Sequence, residues 1–234
     1  MAAKPVCVVT GVGPGTGLAV VRRFAAGGYA VAMMARSAEA LATFARETPG
    51  THPIPADVGD AASVEAAFAR VRREVGAPSV LVHNAGNAVF GSVLDVTEAG
   101  FEAAWRVNAH GLFLTARAVL PDMLAAGQGA ILVTGATASL RGGAPFAAFA
   151  SAKAAQRVLA ESMARSLGPR GIHVAYVVID GVIDMPTTRT FFKDKPDEFF
   201  LRPAAIADTY FHLAGQDRSA WTFQADLRPF GEKW

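Results

Sequence analysis

A glycine-rich turn near the start of the chain is the first segment whose composition could do chemistry. Residues 10–17 read Thr-Gly-Val-Gly-Pro-Gly-Thr-Gly and join an apolar run to an amphipathic segment. Glycines let a turn tighten and bring its backbone close to a ligand, and the helix that follows would offer free N–H groups and its positive end. This arrangement predicts a site for a dinucleotide pyrophosphate, with a purely structural turn as the alternative.

The elements that must position this turn follow from an alternation of apolar runs and helical patterns. Predicted strands are residues 5–10, 30–35, 52–56, 79–83, 130–134, 172–179 and 221–227. Predicted helices are 15–26, 37–47 with Ser37 as N-cap, one that Asp60 caps, 98–126, 146–167 and 203–214. The alternation predicts an α/β, Rossmann-type, doubly wound parallel sheet of about seven strands with helices on both faces. No linker divides residues 1–234, so we expect a single domain.

Composition and charge exclude several classes of protein. The chain is 52% hydrophobic and 18% charged, and its net charge of +2 comes from scattered Lys and Arg, which argues against disorder and nucleic-acid binding. No apolar run reaches the roughly 20 residues of a membrane span. The one cysteine, Cys7, lies in an apolar run and fits a buried thiol in a reducing compartment. We expect a cytoplasmic protein that binds neither nucleic acid nor membrane and has no metal site.

Several motifs, in the right order, resemble those of the short-chain dehydrogenase/reductase family. They are Thr10, Gly11, Gly15 and Gly17 in the turn, Asp57-Val58, His83-Asn84-Ala85-Gly86, Val107-Asn108, and Lys153 at the end of the family's Tyr-x3-Lys. The resemblance covers residues 5 to about 184. It implies an oxidoreductase of small molecules that binds a nicotinamide dinucleotide. The implied contacts are Gly11, Gly15, Thr16, Gly17, Asp57, Val58, Asn84, Lys153 and the backbone of Ile183.

Arg36 determines which dinucleotide we expect. NAD-preferring relatives usually carry an aspartate at the position of Ala35, where it holds the ribose diol. This chain has no acid there, and Arg36 follows directly. Because a guanidinium can bind a 2′-phosphate bidentately and stack on adenine, we predict NADP(H) as cofactor, with a solvated Arg36 at a helix start as the alternative.

The resemblance also implies a catalytic centre that lacks two of its four groups. The family uses a tyrosine to transfer a proton to or from the substrate oxygen, a serine to orient that oxygen, and an asparagine that seats a water relaying protons to the lysine. Phe149 stands at the tyrosine position and Ala136 at the serine position, while Asn108 and Lys153 remain. Positioned proton transfer contributes about 10²- to 10⁴-fold. We therefore expect ordinary ketone reduction to be crippled while cofactor binding survives.

Other groups are candidates to replace the missing proton donor. They are Thr134, Thr137 and Ser139 in the loop that normally carries the serine, where an alignment shift of one residue would select Thr137, and Ser151 in the helix. Five histidines and tyrosines are weaker candidates, of which Tyr210 and His212 lie beyond the flap and could approach the substrate. His83 and His110 are expected to be packed or cofactor-adjacent and neutral, Tyr176 to lie in the core, and Tyr210 and His212 to have packing or surface roles.

The end of the chain departs from the family pattern. Relatives usually carry Pro-Gly after the sixth strand, where this chain has Asp180-Gly181-Val182-Ile183-Asp184. Asp180 and Asp184 could bind a cationic substrate group or act as a base, and the alternative is loop capping or solvation. Residues 185–203 suit a mobile flap over the site. The aromatic tail, residues 221–234, suits a subunit interface, so we expect a homodimer or homotetramer.

Three functions stay open on these residues. The first is an NADP-dependent oxidoreductase with a substitute acid, or with a substrate that supplies the proton, such as an activated C=C. The second is a catalytically disabled NADP(H)-binding sensor or assembly protein. The third is a non-redox enzyme in which the dinucleotide is structural.

Overall fold

The structure, a computed structural model, describes residues 4–231. The strands are β1 Val6–Thr10, β2 Ala30–Ala35, β3 Thr51–Pro55, β4 Pro78–His83, β5 Gly129–Thr134, β6 Ile172–Ile179, β7 Val182–Ile183, β8 Phe200–Leu201 and β9 Gln224–Leu227. The α-helices are α1 Thr16–Ala26, α2 Ala38–Glu47, α3 Ala61–Glu74, α4 Glu98–Trp105, α5 Gly111–Ala126, α6 Ala147–Leu167, α7 Pro186–Phe191 and α8 Pro203–Ala214.

Seven of the strands form one parallel sheet in the order β3-β2-β1-β4-β5-β6-β9. One apolar layer packs α3, α5 and α6 on one face, and a second packs α1, α2 and α8 on the other. Every residue of β1 and β6 is buried, because a strand covered on both faces must be apolar on both sides. The predicted fold class is confirmed.

Local capping explains where two of the helices begin. Ser37 accepts a hydrogen bond from the N–H of Ala40 at 3.2 Å, and Asp60 accepts one from the N–H of Ser63 at 2.6 Å. Each side chain satisfies a backbone donor that the first helical turn leaves without a partner. Both N-cap predictions are confirmed.

The prediction of one continuous helix over residues 98–126 is wrong in one respect. A π-helical turn, Arg106–His110, separates α4 from α5. Such a turn adds one residue to the helical repeat and is frequent at functional sites. Here it carries Asn108 into the interior, where the residue is fully buried.

The segment predicted to be an irregular flap contains regular elements. It begins with Met185 and α7, passes through the 3-10 turn Asp197–Phe199, and ends in β8, which pairs with β7 outside the main sheet. The final strand is shorter than predicted, because Trp221 instead stacks on His173 with ring centroids 5.0 Å apart. Residues 232–234 of the predicted tail interface lie outside the described residues. Within residues 4–231, none of the helices is both long and apolar enough to cross a membrane.

Candidate active site

The glycine-rich turn lies at the carboxyl edge of the sheet, between β1 and α1. Gly11 has φ +68°, and a Cβ built there would lie 2.5 Å from the Cα of Ala85, so only glycine permits this approach to the loop after β4. Asn84 Nδ2 fixes the contact by donating to the Gly11 carbonyl at 2.9 Å. A Cβ at Gly13, by contrast, would meet no atom within 4 Å. The turn is thus packed on one side and open on the other.

The start of α1 fits a phosphate group. Gly15 precedes the helix and has no side chain that could cap it. The hydroxyl oxygen of Thr16 is buried and has no hydrogen-bond partner within the described residues. A helix N-terminus with uncapped N–H groups and an unpaired buried hydroxyl is suited to accept an anion.

Two cavities run along this edge and share Gly11, Gly13, Gly86 and Asn87. The first cavity has a volume of about 580 Å³, and its walls include Arg36, Asp57, Val58 and Arg106. The second cavity has a volume of about 520 Å³, and its walls include Gly15, Thr16, Gly17, Asn84, Thr134, Ala136, Phe149, Lys153 and Ile183. Every predicted cofactor contact lines one of the two cavities, which adjoin at the four shared residues. Their role as ligands stays a prediction.

The first cavity has exposed charged side chains over a lining that includes buried apolar residues such as Met34 and Val58. Arg36 is exposed and follows β2 directly. Asp57 accepts a hydrogen bond from the N–H of Gly59 at 2.8 Å, which shapes the loop after β3. Arg106, which sequence reasoning missed, forms an ion pair with Glu102 one helical turn earlier. Its position directly before the Val107-Asn108 motif is the signal that could have identified it.

Lys153 is the cation of the second cavity, and it is 5% exposed. Its Nζ donates to the Thr134 carbonyl at 2.8 Å and to Gln156 Oε1 at 3.1 Å. Burial lowers the pKa of Lys153 to about 7. The Phe149 ring lies on the same helix face, with its centroid 5.9 Å from Nζ. The arrangement places an ammonium group beside an aromatic ring that carries no hydroxyl.

Asn108 lies behind the second cavity and is not one of the residues that line it. Its Nδ2 donates to the carbonyls of Asn87 and Ala104, each at 2.8 Å. Its Oδ1 is buried and has no hydrogen-bond partner in the part of the chain that the structure describes. The side chain therefore braces the π-helical turn against the loop after β4, and one acceptor stays unused.

Three of the four candidate substitutes for the missing proton donor are engaged away from the cavity. Ser139 Oγ donates to the Ala136 carbonyl at 2.7 Å, and Ser151 Oγ to the Ala147 carbonyl at 2.8 Å. Thr137 Oγ1 donates to Asp180 Oδ1 at 2.5 Å. Only Thr134 lines the second cavity. Its hydroxyl accepts from Tyr210 at 2.7 Å and donates to Asn84 Oδ1 at 3.1 Å.

The histidines and tyrosines take the structural places expected of them. Burial lowers the pKa of His83 to about 3, so it is neutral, and its Nδ1 lies 3.1 Å from Thr115 Oγ1. His110 stacks on Trp105 with ring centroids 5.4 Å apart. Tyr176 and Tyr210 are fully buried. His212 is exposed.

Asp180 and Asp184 do not reach the cavity as hypothesised, and neither lines it. Asp184 accepts two hydrogen bonds from Arg189, at 2.7 and 2.9 Å, which hold its pKa below the usual range. Asp180 accepts from Thr137 and lies 3.4 Å from Arg228. Both carboxylates already pair with cations of the loop and tail, which favours the alternative of loop stabilisation. Their roles as a base or as ligands of a cationic substrate group stay hypotheses.

The first residue of the flap contacts the glycine-rich turn. A Cβ at Gly15 would lie 2.3 Å from the sulfur of Met185, so this methionine packs directly on the turn. Arg189 on α7 holds the flap together, because it pairs with Asp184 and, at 2.8 Å, with Asp197. Sequence reasoning missed both roles, because neither contact has a periodic sequence signal.

Similarity to known proteins extends over nearly the whole chain. The family model described as short chain dehydrogenase matches residues 5–196. The 2-(R)-hydroxypropyl-CoM dehydrogenase of Xanthobacter autotrophicus is 35% identical in an alignment of 235 positions that covers 91% of this chain and 92% of the relative. A solved short-chain dehydrogenase from Rhodopseudomonas palustris has a TM-score of 0.83 at 35% identity and covers 98% of this chain and 100% of its own. An alcohol dehydrogenase from the archaeon Thermococcus sibiricus, solved with 5-hydroxy-NADP, has a TM-score of 0.87 at 28% identity and covers 98% of each chain.

Proposed function

Because this chain belongs to the short-chain dehydrogenase family, we propose that it is an NADP(H)-dependent oxidoreductase that works without a proton donor at position 149. The observation that carries the proposal is the second cavity. Lys153, Phe149 and Ala136 line it together with the glycine-rich turn. The cation that would hold a nucleotide ribose is in place, and the two groups that would act on a substrate oxygen are absent from these positions.

The preference for NADP(H) rests on Arg36 in the first cavity. Ala35 replaces the acid that would repel a 2′-phosphate, and the Arg36 guanidinium is exposed and so available for one. The Thermococcus sibiricus relative, solved with 5-hydroxy-NADP, supports the same preference. The backbone of the glycine-rich turn and Thr16 would hold the pyrophosphate. When bound, the nicotinamide would supply or accept the hydride.

The proposed substrate class follows from which side chains of the second cavity could donate a proton to a substrate. Thr134 is the one hydroxyl-bearing candidate that lines it, and this hydroxyl is already bonded on both sides. An aromatic wall adjoins it, with Phe90 5.5 Å from Phe146 and 5.9 Å from Phe149 between ring centroids. Hydride addition to an activated C=C of an apolar substrate suits this site, because water can supply the later proton.

Transfer of deuterium from 4-deuterated NADPH tests the proposal directly. The purified protein is incubated with a panel of apolar enones and their saturated ketones, and the products are read by mass spectrometry. We expect deuterium at the β-carbon of an enone, at least about 100-fold faster than any carbonyl reduction. Ketone reduction at the same rate would refute the proposal. NADPH binding without deuterium transfer to any compound would favour the alternative, a disabled NADP(H)-binding sensor or assembly protein.

A further inference from the structure

Gln156 is a fully buried polar residue one helical turn after Lys153 on α6. A buried amide costs free energy unless its donors and acceptor find partners. Gln156 Oε1 accepts from Lys153 Nζ at 3.1 Å and from the Tyr176 hydroxyl at 3.4 Å. Its Nε2 donates to the Asn108 carbonyl at 3.0 Å. The side chain therefore bridges the buried cation and the π-helical turn.

The orientation of this amide is fixed by its partners. An ammonium group can only donate and a backbone carbonyl can only accept, so Oε1 must face Lys153 and Nε2 must face Asn108. The Tyr176 hydroxyl reinforces the same orientation. Tyr176 reaches this point because its ring packs against Gly135, where a Cβ would lie 2.2 Å from the ring. Gly135, Tyr176 and Gln156 thus act together to hold one acceptor against Lys153.

No anion compensates the charge of Lys153 among the described residues that face it. The acceptors of Lys153 are the Thr134 carbonyl and the Gln156 amide, which are both neutral. His83 on β4 is neutral, because its pKa is lowered to about 3. Burial raises the pKa of Tyr176 on β6 to about 12, and it also raises that of Tyr210 on α8. Arg157, the next charged residue of α6, bonds to Gln224 at 2.9 Å.

We propose that Gln156 is a positioning residue that keeps the Lys153 ammonium charged and aimed into the second cavity. Two of the three N–H groups of Lys153 are held by Thr134 and Gln156, which leaves one for a ligand. The identity of that ligand, the ribose of NADP(H), rests on the proposed function. The part played by Gln156 in holding the cation does not, and it can be measured without any cofactor.

An NMR titration of the cofactor-free protein tests this role. The chain has five lysines, and Lys4, Lys193 and Lys195 are exposed, so the ¹³Cε signal of buried Lys153 is separable and is assigned with Lys153→Met. Gln156→Glu loses the donor to the Asn108 carbonyl, but where its carboxyl group is ionised it should raise the pKa of Lys153 by at least about one pH unit. Gln156→Leu removes the acceptor and should lower it by about one unit.

The matched control is Gln216→Leu. Gln216 is also a structural amide, which donates to Thr222 Oγ1 at 2.9 Å and accepts from the Thr222 N–H at 2.9 Å, but it lies far from Lys153 in the loop after α8. We expect it to lower the melting temperature without moving the Lys153 titration. Gln156→Met keeps the length of the side chain but offers Lys153 no amide acceptor, so it repeats the test if Gln156→Leu fails to fold. An unchanged Lys153 titration in these apolar variants would overturn the proposal.

Cofactor affinity gives a second, separable readout. The charged form of Lys153 binds the ribose, so NADPH affinity should weaken as the pH rises through the pKa of Lys153. That midpoint should move up in Gln156→Glu and down in Gln156→Leu, with about 10-fold weaker binding than wild type near pH 7.5 in the latter. If wild type binds no NADPH while the NMR shifts appear, the proposed function fails and the role of Gln156 stands. If NADPH binds but the variants change neither the Lys153 titration nor the pH midpoint of NADPH binding, the proposed function stands and the role of Gln156 is refuted.

Discussion

The two cavities at the carboxyl edge of the sheet are built in different ways. In the first, the charged residues Arg36 and Asp57 are exposed and lie in loops directly after strands that the sheet holds in place. The second depends on a buried network in which Gln156 bonds both to Lys153 and to the Asn108 carbonyl. The part of a site that recognises a dinucleotide thus needs only a few residues, which the strand order puts in place. The part where a reaction takes place needs residues whose side chains hold one another in position.

The largest expected effect comes from Gly13, which lines both cavities. Gly13→Val adds a side chain where a Cβ meets no atom within 4 Å, so the fold should keep its melting temperature while NADPH affinity falls about 100-fold. The matched control is Gly142→Val, which also points into open space but lines neither cavity. Equal NADPH affinity of the two variants in a fluorescence titration would mean that the dinucleotide does not lie across both cavities.

Phe149→Tyr tests whether the second cavity lacks only its proton donor. Restoring a hydroxyl next to Lys153 should raise steady-state ketone reduction by about 10²-fold or more and leave NADPH affinity unchanged. Phe146→Tyr is the control, because Phe146 belongs to the same aromatic wall but does not line the second cavity. If neither variant reduces ketones, the second cavity has changed beyond its proton donor.

The sheet below both cavities contains a pH-dependent element, His83. Its pKa is about 3 in the fold and near 6.5 when exposed, so the unfolded chain binds one more proton between these values. The free energy of unfolding should therefore fall as the pH drops below 6.5, by about 2 kcal/mol at pH 5. His83→Asn should remove this loss in urea unfolding, and exposed His212→Asn should not. An identical loss in the His83 variant would assign the acid sensitivity to another group.

The smallest effect is expected beside the second cavity, at Asp184. Its pair with Arg189 is about one third exposed and is worth about 0–1 kcal/mol. Asp184→Asn should therefore leave NADPH affinity unchanged and lower the free energy of unfolding by less than about 1 kcal/mol. Selective loss of turnover with amine-bearing substrates, measured against neutral analogues, would return Asp184 to the substrate site.

Much of this fold could be predicted because strands covered on both faces must be continuously apolar. The bounds of β2 and of α8 agree with prediction, and α8 has Pro203 at its start and Gly215 after its end. The π-helical turn could not be predicted, since one extra residue barely alters the apolar periodicity. In the first cavity, Arg36, Asp57 and Val58 were predictable because they lie in loops that follow strands, whereas Arg106 on the π-helical turn was not. Gln156 was not, because its partner, the Asn108 carbonyl, lies 48 positions away and the contact depends on packing.

The most direct test of the central claim is a titration of the purified protein with NADPH and with NADH, followed by nicotinamide fluorescence. Wild type should bind NADPH with micromolar affinity and NADH much more weakly. Arg36→Asp should weaken NADPH binding by about 10- to 100-fold and barely affect NADH, while Arg22→Asp, which removes a surface cation paired with Glu47, should change neither. Equal losses for the two dinucleotides in Arg36→Asp, or no binding of either by wild type, would contradict the account.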